Sequence, residues 1–134
     1  MSDKFIVMIV DDDKSVRRAA RRLIKSFGFA VETFASAEDF LTSGRLLQTA
    51  CLVLDVQMPG LNGLELQNRL ISEGHQIPTL FITAFNDENA REQALRAGAV
   101  GYLVKPFEEA DLLAGIKLAL QGQEIPPRSP SALQ

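Results

Sequence analysis

The sequence predicts an α/β fold in which a mostly parallel sheet of five strands is covered by helices on both faces. Two observations lead to this prediction. Five short apolar runs recur along the chain, and between and after them lie segments whose apolar residues are three and four positions apart. Near-continuous apolar strands that alternate with helices are typical of a parallel sheet buried on both faces.

The apolar runs predict strands over residues 5–10, 30–34, 51–54, 79–83 and 100–104. Crossover connections between parallel strands are right-handed, which leaves few ways to join them. Of the two common doubly wound strand orders, 2-1-3-4-5 suits five strands and gives a flavodoxin-like three-layer sandwich. In this order the first and third strands are neighbours, and ligands bind beside their carboxyl ends.

Helical spacing and stop signals place the five helices. The first helix carries one apolar stripe, formed by Val16, Ala19, Ala20, Leu23, Ile24 and Phe27. Gly28 ends this helix, and Ser36 with Asp39 resembles a capping box that opens the second. Two more helices are predicted over residues 62–73 and 87–97, and the fifth carries Leu112, Leu113, Ile116 and Leu120 and ends near Gly122.

Length, charge and cysteine content restrict the class of protein. A chain of 134 residues suits one domain with a proper core, which we place at residues 1–122, followed by a proline-containing linker or disordered tail at 123–134. The net charge of −3 gives no reason to expect binding to nucleic acid or an anionic membrane. No signal peptide or membrane span is evident, and the single Cys51 lies in an apolar run, as expected of a buried, inert thiol in a cytoplasmic protein.

Polar side chains follow four of the predicted strands. Asp11 to Asp13 follow the first strand and Asp55 follows the third, while Thr83 and Lys105 close the fourth and fifth. In a parallel sheet these residues converge on one edge. Carboxylates held that close need a cation among them, and a site made of oxygen ligands alone favours Mg²⁺ over zinc.

A divalent cation, a lysine and a hydroxyl around one carboxylate are the groups that phosphoryl transfer needs. Asp55 is the best candidate nucleophile, because it stands alone at a strand end and a carboxylate can form an acyl phosphate. The segment GLNGLE (60–65) is neither a Walker A sequence nor a dinucleotide fingerprint. We therefore expect the phosphoryl group to come from a donor that brings its own nucleotide chemistry, or from a small phosphodonor.

The segments VDDD, LDVQMPGLNGLEL, FITA and GYLVKPF, in this order, resemble the receiver domain of bacterial two-component response regulators. The resemblance covers residues 5 to 121, and YLVKPF and ETFASAEDFL are most similar to the FixJ/NarL-type branch. It implies a phosphoprotein that acts as a switch rather than as an enzyme, with a sensor histidine kinase as partner. Members of that branch usually carry a DNA-binding helix-turn-helix module after the receiver.

The same resemblance implies the metal site. Asp55 would be the phosphoacceptor and one of the ligands of Mg²⁺. Asp12 would bind the ion directly and Asp11 through water, with the backbone carbonyl of Gln57 completing the protein ligands.

It also implies the switch. Lys105 would contact the phosphoryl oxygens, and the Lys105–Pro106 peptide bond would be cis. Thr83 would move to hydrogen-bond the phosphoryl group, and Tyr102 would swing inward behind it. The face made by the fourth helix, fifth strand and fifth helix would then be reshaped for a partner domain or a second copy of the chain.

Alternative interpretations stay open for several residues. Asp13 fits the N-cap of the first helix, and Tyr102 could be a packing aromatic with its hydroxyl in water. The segment RRAARR (17–22) is either a solvated basic face or a docking surface for the kinase.

Alternatives also stay open for the function. The output is either transcription, with DNA contacted only through an output domain absent from this sequence, or protein contact by a single-domain receiver or phosphorelay member. A hydrolase of the haloacid dehalogenase type would want a second acid where Gln57 stands. A receiver that is never phosphorylated would lack one of the acids, the threonine or the lysine.

Overall fold

The computed structural model describes residues 6–124, with side chains through residue 121. The strands are β1 (Ile6–Val10), β2 (Ala30–Phe34), β3 (Thr49–Leu54), β4 (Thr79–Thr83) and β5 (Gly101–Val104). The helices are α1 (Lys14–Ser26), α2 (Ala37–Leu41), α3 (Gly63–Ser72), α4 (Glu88–Arg96) and α5 (Glu109–Glu124), with a short 3₁₀ helix at Leu46–Gln48. Most of the predicted tail, residues 125–134, and the predicted start of the first strand lie outside the described residues.

The five strands form one parallel sheet in the order β2-β1-β3-β4-β5, which confirms the predicted topology. Val10 at the end of β1 pairs with Leu54 at the end of β3. Asp11 and Asp55 therefore leave the sheet at the same level on neighbouring strands. Thr83 pairs in the same way with Val104, so that Lys105 follows at the level of the β4 end.

The core forms two layers, one on each face of the sheet, because successive residues of a strand point to opposite faces. The first layer includes Met8, Val10, Phe40, Leu52, Leu54, Leu66 and Phe81. The second includes Val7, Ile9, Ile24, Val53, Leu112 and Ile116. Cys51 belongs to the second layer and is fully buried, and this burial raises the pKa of its thiol to about 12. We therefore expect the thiol to be unreactive in the folded protein.

Helix α1 packs with a narrower apolar stripe than its spacing predicts. Ala20 and Ile24 are buried, whereas Ala19 is exposed. An apolar stripe that faces a core is only about 100° wide, and Ala19 lies at its outer edge. Among the described residues, no helix is both long enough and apolar enough to cross a membrane.

Side-chain caps fix where the helices begin. The carboxylate of Asp13 accepts hydrogen bonds from the backbone N–H groups of Ser15 (2.8 Å) and Val16 (3.3 Å), as an N-cap does. A reciprocal capping box opens α3 at Asn62 and Glu65. At the box predicted for α2, Ser36 accepts from the Asp39 N–H, and the described residues show no bond in return.

Candidate functional site

Three carboxylates meet at the carboxyl edge of the sheet. Oxygen atoms of Asp11, Asp12 and Asp55 all lie within 4.8 Å of one another. Asp11 and Asp55 are buried at the ends of β1 and β3, and Asp12 is exposed beside them. The parallel register brings Asp11 and Asp55 together, since each follows directly after a paired strand end, and Asp12 is next to Asp11 in the chain.

The two oxygens of Asp11 have different surroundings. Oδ1 accepts a hydrogen bond from the N–H of Asp13 at 2.9 Å. Oδ2 is buried, has no hydrogen-bond partner among the described residues, and lies 3.6 Å from the Lys105 ammonium. Burial raises the pKa of Asp11, and the charge of Asp55 adds to this, while the Asp13 N–H and Lys105 oppose it. A buried oxygen without a donor, beside two further carboxylates, is a fit to a hard divalent cation such as Mg²⁺.

The raised pKa of Asp11 gives a first testable prediction. A carboxyl whose pKa is higher in the folded state than in the unfolded chain destabilises the protein as the pH rises through that pKa. In the absence of metal, Asp11→Asn is therefore expected to be more stable than wild type at neutral pH by about 1 kcal/mol. Its advantage should shrink as the pH falls toward 3.8, the ordinary value for an aspartate.

Urea unfolding in EDTA, at neutral and at mildly acidic pH, measures this difference. Asp13→Asn is the matched control, because it removes the same charge and asparagine still caps a helix. That variant should change stability little at either pH. An Asp11→Asn protein that is less stable than wild type at neutral pH would contradict the prediction.

Thr83 and Tyr102 share one backbone partner, which the sequence did not indicate. The hydroxyl of Thr83 is buried and accepts a hydrogen bond from the N–H of Phe85 at 3.1 Å. The hydroxyl of Tyr102 donates to the carbonyl oxygen of Phe85 at 2.8 Å. The Tyr102 hydroxyl is thus bound to backbone rather than pointing into water. Burial raises its pKa, and the negative charges of Asp87 and Asp55 raise it further.

Lys105 and Gln57 lie at the border of the carboxylate cluster. Lys105 is partly exposed, and its peptide bond to Pro106 is cis. Gln57 has an exposed side chain, and its N–H donates a long hydrogen bond of 3.4 Å to an oxygen of Asp55. Both residues are therefore close to the acids that the sequence groups with them.

Arg17 does not lie on the solvent face with the rest of its segment. Arg18, Arg21 and Arg22 are exposed, but Arg17 is half-buried and donates to the backbone carbonyl of Asp11 at 2.8 Å. Its long side chain folds back toward the end of β1, which helical spacing alone does not reveal. The basic face is correspondingly smaller than the sequence indicates.

Gly63 is a second feature that sequence reasoning missed. Its N–H donates to the carbonyl oxygen of Val56 at 2.9 Å. A Cβ at this position would lie 2.0 Å from the backbone carbonyl oxygen of Asp55, closer than any real contact. The first turn of α3 therefore packs directly on the backbone of Asp55, and only glycine fits at position 63. In the sequence, Gly63 looks like an ordinary turn glycine of the segment GLNGLE (60–65), and no local pattern marks its contact with Asp55.

Fold and site together define an α/β domain with a cluster of three acids and a lysine at the point where the strand order reverses. The chain belongs to the family of response regulator receiver domains, which matches residues 7–117. This confirms the resemblance that the four sequence segments indicate.

The curated relatives include response regulators and transcriptional regulatory proteins. The chain is 42% identical over 116 residues to the response regulator protein TmoT of Ectopseudomonas mendocina, covering 87% of this chain and 53% of TmoT. It is 36% identical to the transcriptional regulatory protein FixJ of Bradyrhizobium diazoefficiens, covering all of this chain and 65% of FixJ. The chain thus spans between one half and two thirds of these curated relatives.

The crystal structure of FixJ-N superposes with a TM-score of 0.81 at 34% identity, covering 91% of this chain and 96% of that one. The low-resolution structure of the response regulator StyR gives a TM-score of 0.81 at 49% identity, covering 87% of this chain and 59% of that one. Placement in the FixJ/NarL-type branch is confirmed by these similarities.

Proposed function

We propose that the protein accepts a phosphoryl group on Asp55 from a sensor histidine kinase, and that this phosphorylation controls transcription. The observation that supports this most directly is the carboxylate cluster. One oxygen from each of the three acids lies within 4.8 Å of the others. Oδ2 of Asp11 is buried without a hydrogen-bond donor among the described residues, and Nζ of Lys105 lies 3.6 Å from it.

In the proposed reaction, an oxygen of Asp55 attacks the phosphorus of a phosphohistidine. The new O–P bond forms as the P–N bond breaks, and the imidazole leaves with the electron pair of that bond. Mg²⁺, held by Asp11, Asp12, Asp55 and the carbonyl of Gln57, would neutralise charge on the phosphoryl oxygens. Lys105 adds a fixed positive charge to the same site.

The contacts of Phe85 support a way in which phosphorylation of Asp55 would change the conformation of the protein surface. The Thr83 hydroxyl accepts from the Phe85 N–H, so its own proton stays available for a phosphoryl oxygen. The Tyr102 hydroxyl donates a hydrogen bond to the carbonyl oxygen of Phe85. Phosphorylation would bias this arrangement by a few kcal/mol and reshape the face of α4, β5 and α5. That face would bind a second copy of the chain or a partner domain.

The proposed transcriptional output rests on the relatives, since FixJ is named a transcriptional regulatory protein. DNA would be contacted by an output domain that is not part of the described fold. The receiver would control that domain through the reshaped face, and we expect no direct role for the receiver in DNA binding.

Mass spectrometry after incubation with Mg²⁺ and acetyl phosphate tests the proposal. We expect one phosphoryl group that hydroxylamine removes, as an acyl phosphate requires. The group should be absent from Asp55→Asn and present in Asp39→Asn, which removes an exposed aspartate on α2. A wild-type protein that gains no mass and does not bind beryllofluoride would overturn the proposal.

A further inference from the structure

Helix α2 presents a carboxylate to the loop that follows Asp55. Glu38 lies on this helix, and its Oε2 accepts a hydrogen bond from the backbone N–H of Leu61 at 3.0 Å. Leu61 belongs to the segment 55–62, which joins β3 to α3 and which we call the β3–α3 loop. The contact joins two elements that are 23 residues apart in sequence. It lies outside the carboxylate cluster described above.

The helix that carries Glu38 is itself held firmly. Ala37 and Phe40 of α2 are fully buried, and the ring of Phe40 packs edge-on against Phe34 at a centroid distance of 5.5 Å. Ser36 caps the helix through the N–H of Asp39. The backbone of Glu38 is therefore held in place by the packing of α2, although its own side chain is exposed.

The loop is shaped to receive this carboxylate. Gly60 has a φ of +74°, a conformation that side chains rarely adopt. A Cβ on Gly60 would lie 2.8 Å from Oε2 of Glu38, so glycine also leaves room for the carboxylate. The hydrogen bond from the Leu61 N–H lowers the pKa of Glu38, because it favours the ionised carboxylate.

The held loop contains the groups proposed to bind the metal. It begins at Asp55 and includes Gln57, and its far end is fixed by the bond from the Gly63 N–H to the Val56 carbonyl. The bond to Glu38 restrains Leu61, between Gln57 and the start of α3. We propose that Glu38 is a positioning residue, which holds the β3–α3 loop in the geometry that binds Mg²⁺. This inference rests on the proposed function, because it concerns the same metal site.

Two substitutions of Glu38 separate its hydrogen bond from its charge. Glu38→Ala removes both and is expected to weaken Mg²⁺ binding about fivefold, somewhat less than typical losses for residues that directly support metal ligands. Glu38→Gln keeps an acceptor oxygen and should restore most of the affinity. Asp39→Ala is the control, because Asp39 is exposed and its carboxylate has no hydrogen bond among the described residues. It should bind Mg²⁺ as wild type does.

Isothermal titration calorimetry with MgCl₂ gives these affinities, and thermal unfolding in EDTA shows whether each variant is folded. Equal affinity of Glu38→Ala and wild type would overturn the inference. Glu38→Gln binding as weakly as Glu38→Ala would also overturn it, since charge alone would then explain the loss.

Amide hydrogen exchange at Leu61, followed by NMR without metal, makes the test independent of phosphorylation. Exchange should be faster in Glu38→Ala than in wild type or Asp39→Ala, because the Leu61 N–H loses its acceptor. Unchanged exchange would overturn the inference while leaving phosphorylation of Asp55 intact. Conversely, a wild-type protein that is never phosphorylated would refute the proposed function, and the exchange rate would still report on the loop.

Discussion

Asp12→Asn is expected to weaken Mg²⁺ binding about tenfold or more, whereas Asp13→Asn leaves it unchanged. The two residues are adjacent and both exposed, but their carboxylates serve different groups. An oxygen of Asp12 lies within 4.8 Å of oxygens of Asp11 and Asp55, where it can share a cation. The carboxylate of Asp13 is turned toward the first N–H groups of α1, at 2.8 and 3.3 Å.

Calorimetric titration with MgCl₂ at neutral pH measures both affinities. The comparison is well matched, since each substitution removes one negative charge and changes no shape. If Asp13→Asn lost affinity and Asp12→Asn kept it, the assignment of residues to metal and helix would be wrong by one position. Asp12→Asn should also take up phosphoryl groups from acetyl phosphate more slowly, because it binds the ion less well.

Gly63→Ala is expected to destabilise the protein by about 3 kcal/mol, the upper range for inserting a methyl group into a tightly packed position. The added Cβ would meet the carbonyl oxygen of Asp55 at 2.0 Å and the carbonyl carbon at 2.9 Å. Both atoms are backbone, so relief requires movement of α3 or of the end of β3. Urea unfolding measures the loss, and phosphorylation by acetyl phosphate should fall with it because Asp55 is displaced.

Gly115→Ala on α5 is the control for this prediction. A Cβ there would also be close to a neighbour, but that neighbour is the end of the Leu80 side chain, at 2.8 Å. Leu80 is fully buried, but moving a side chain disturbs less of the structure than moving backbone, and alanine favours a helix over glycine by about 1 kcal/mol. The loss of stability should therefore be clearly smaller than the loss expected for Gly63→Ala. Gly63→Ala unfolding at the same urea concentration as Gly115→Ala would contradict the packing described for Asp55.

Much of the fold could be predicted because the buried strands are almost continuously apolar. Runs such as CLVL mark strands that are covered on both faces, and the handedness of crossovers then limits their order. Asp11 and Asp55 followed from the same pattern, since each is the first polar residue after such a run. Even the edge strand β2 could be placed, although its residues are only partly buried.

The parts that could not be predicted depend on where a long or a missing side chain points. Arg17 and Arg18 are indistinguishable in sequence, yet only Arg17 turns back to the Asp11 carbonyl. Gly60 and Gly63 both look like turn glycines, but only Gly63 has a backbone carbonyl in the space of its Cβ. The contact of Glu38 with Leu61 joins distant segments, and no local pattern encodes it.

The burial of Cys51 has a practical consequence for following this protein in solution. Its thiol has no exposed surface and burial raises its pKa to about 12, so we expect alkylating reagents to modify it only when β3 opens. The rate of alkylation of Cys51 then measures how often β3 opens. A Leu47→Cys variant, at an almost fully exposed position, could carry a fluorescent dye without removal of Cys51. Cys51 can therefore be used to follow unfolding without any added label.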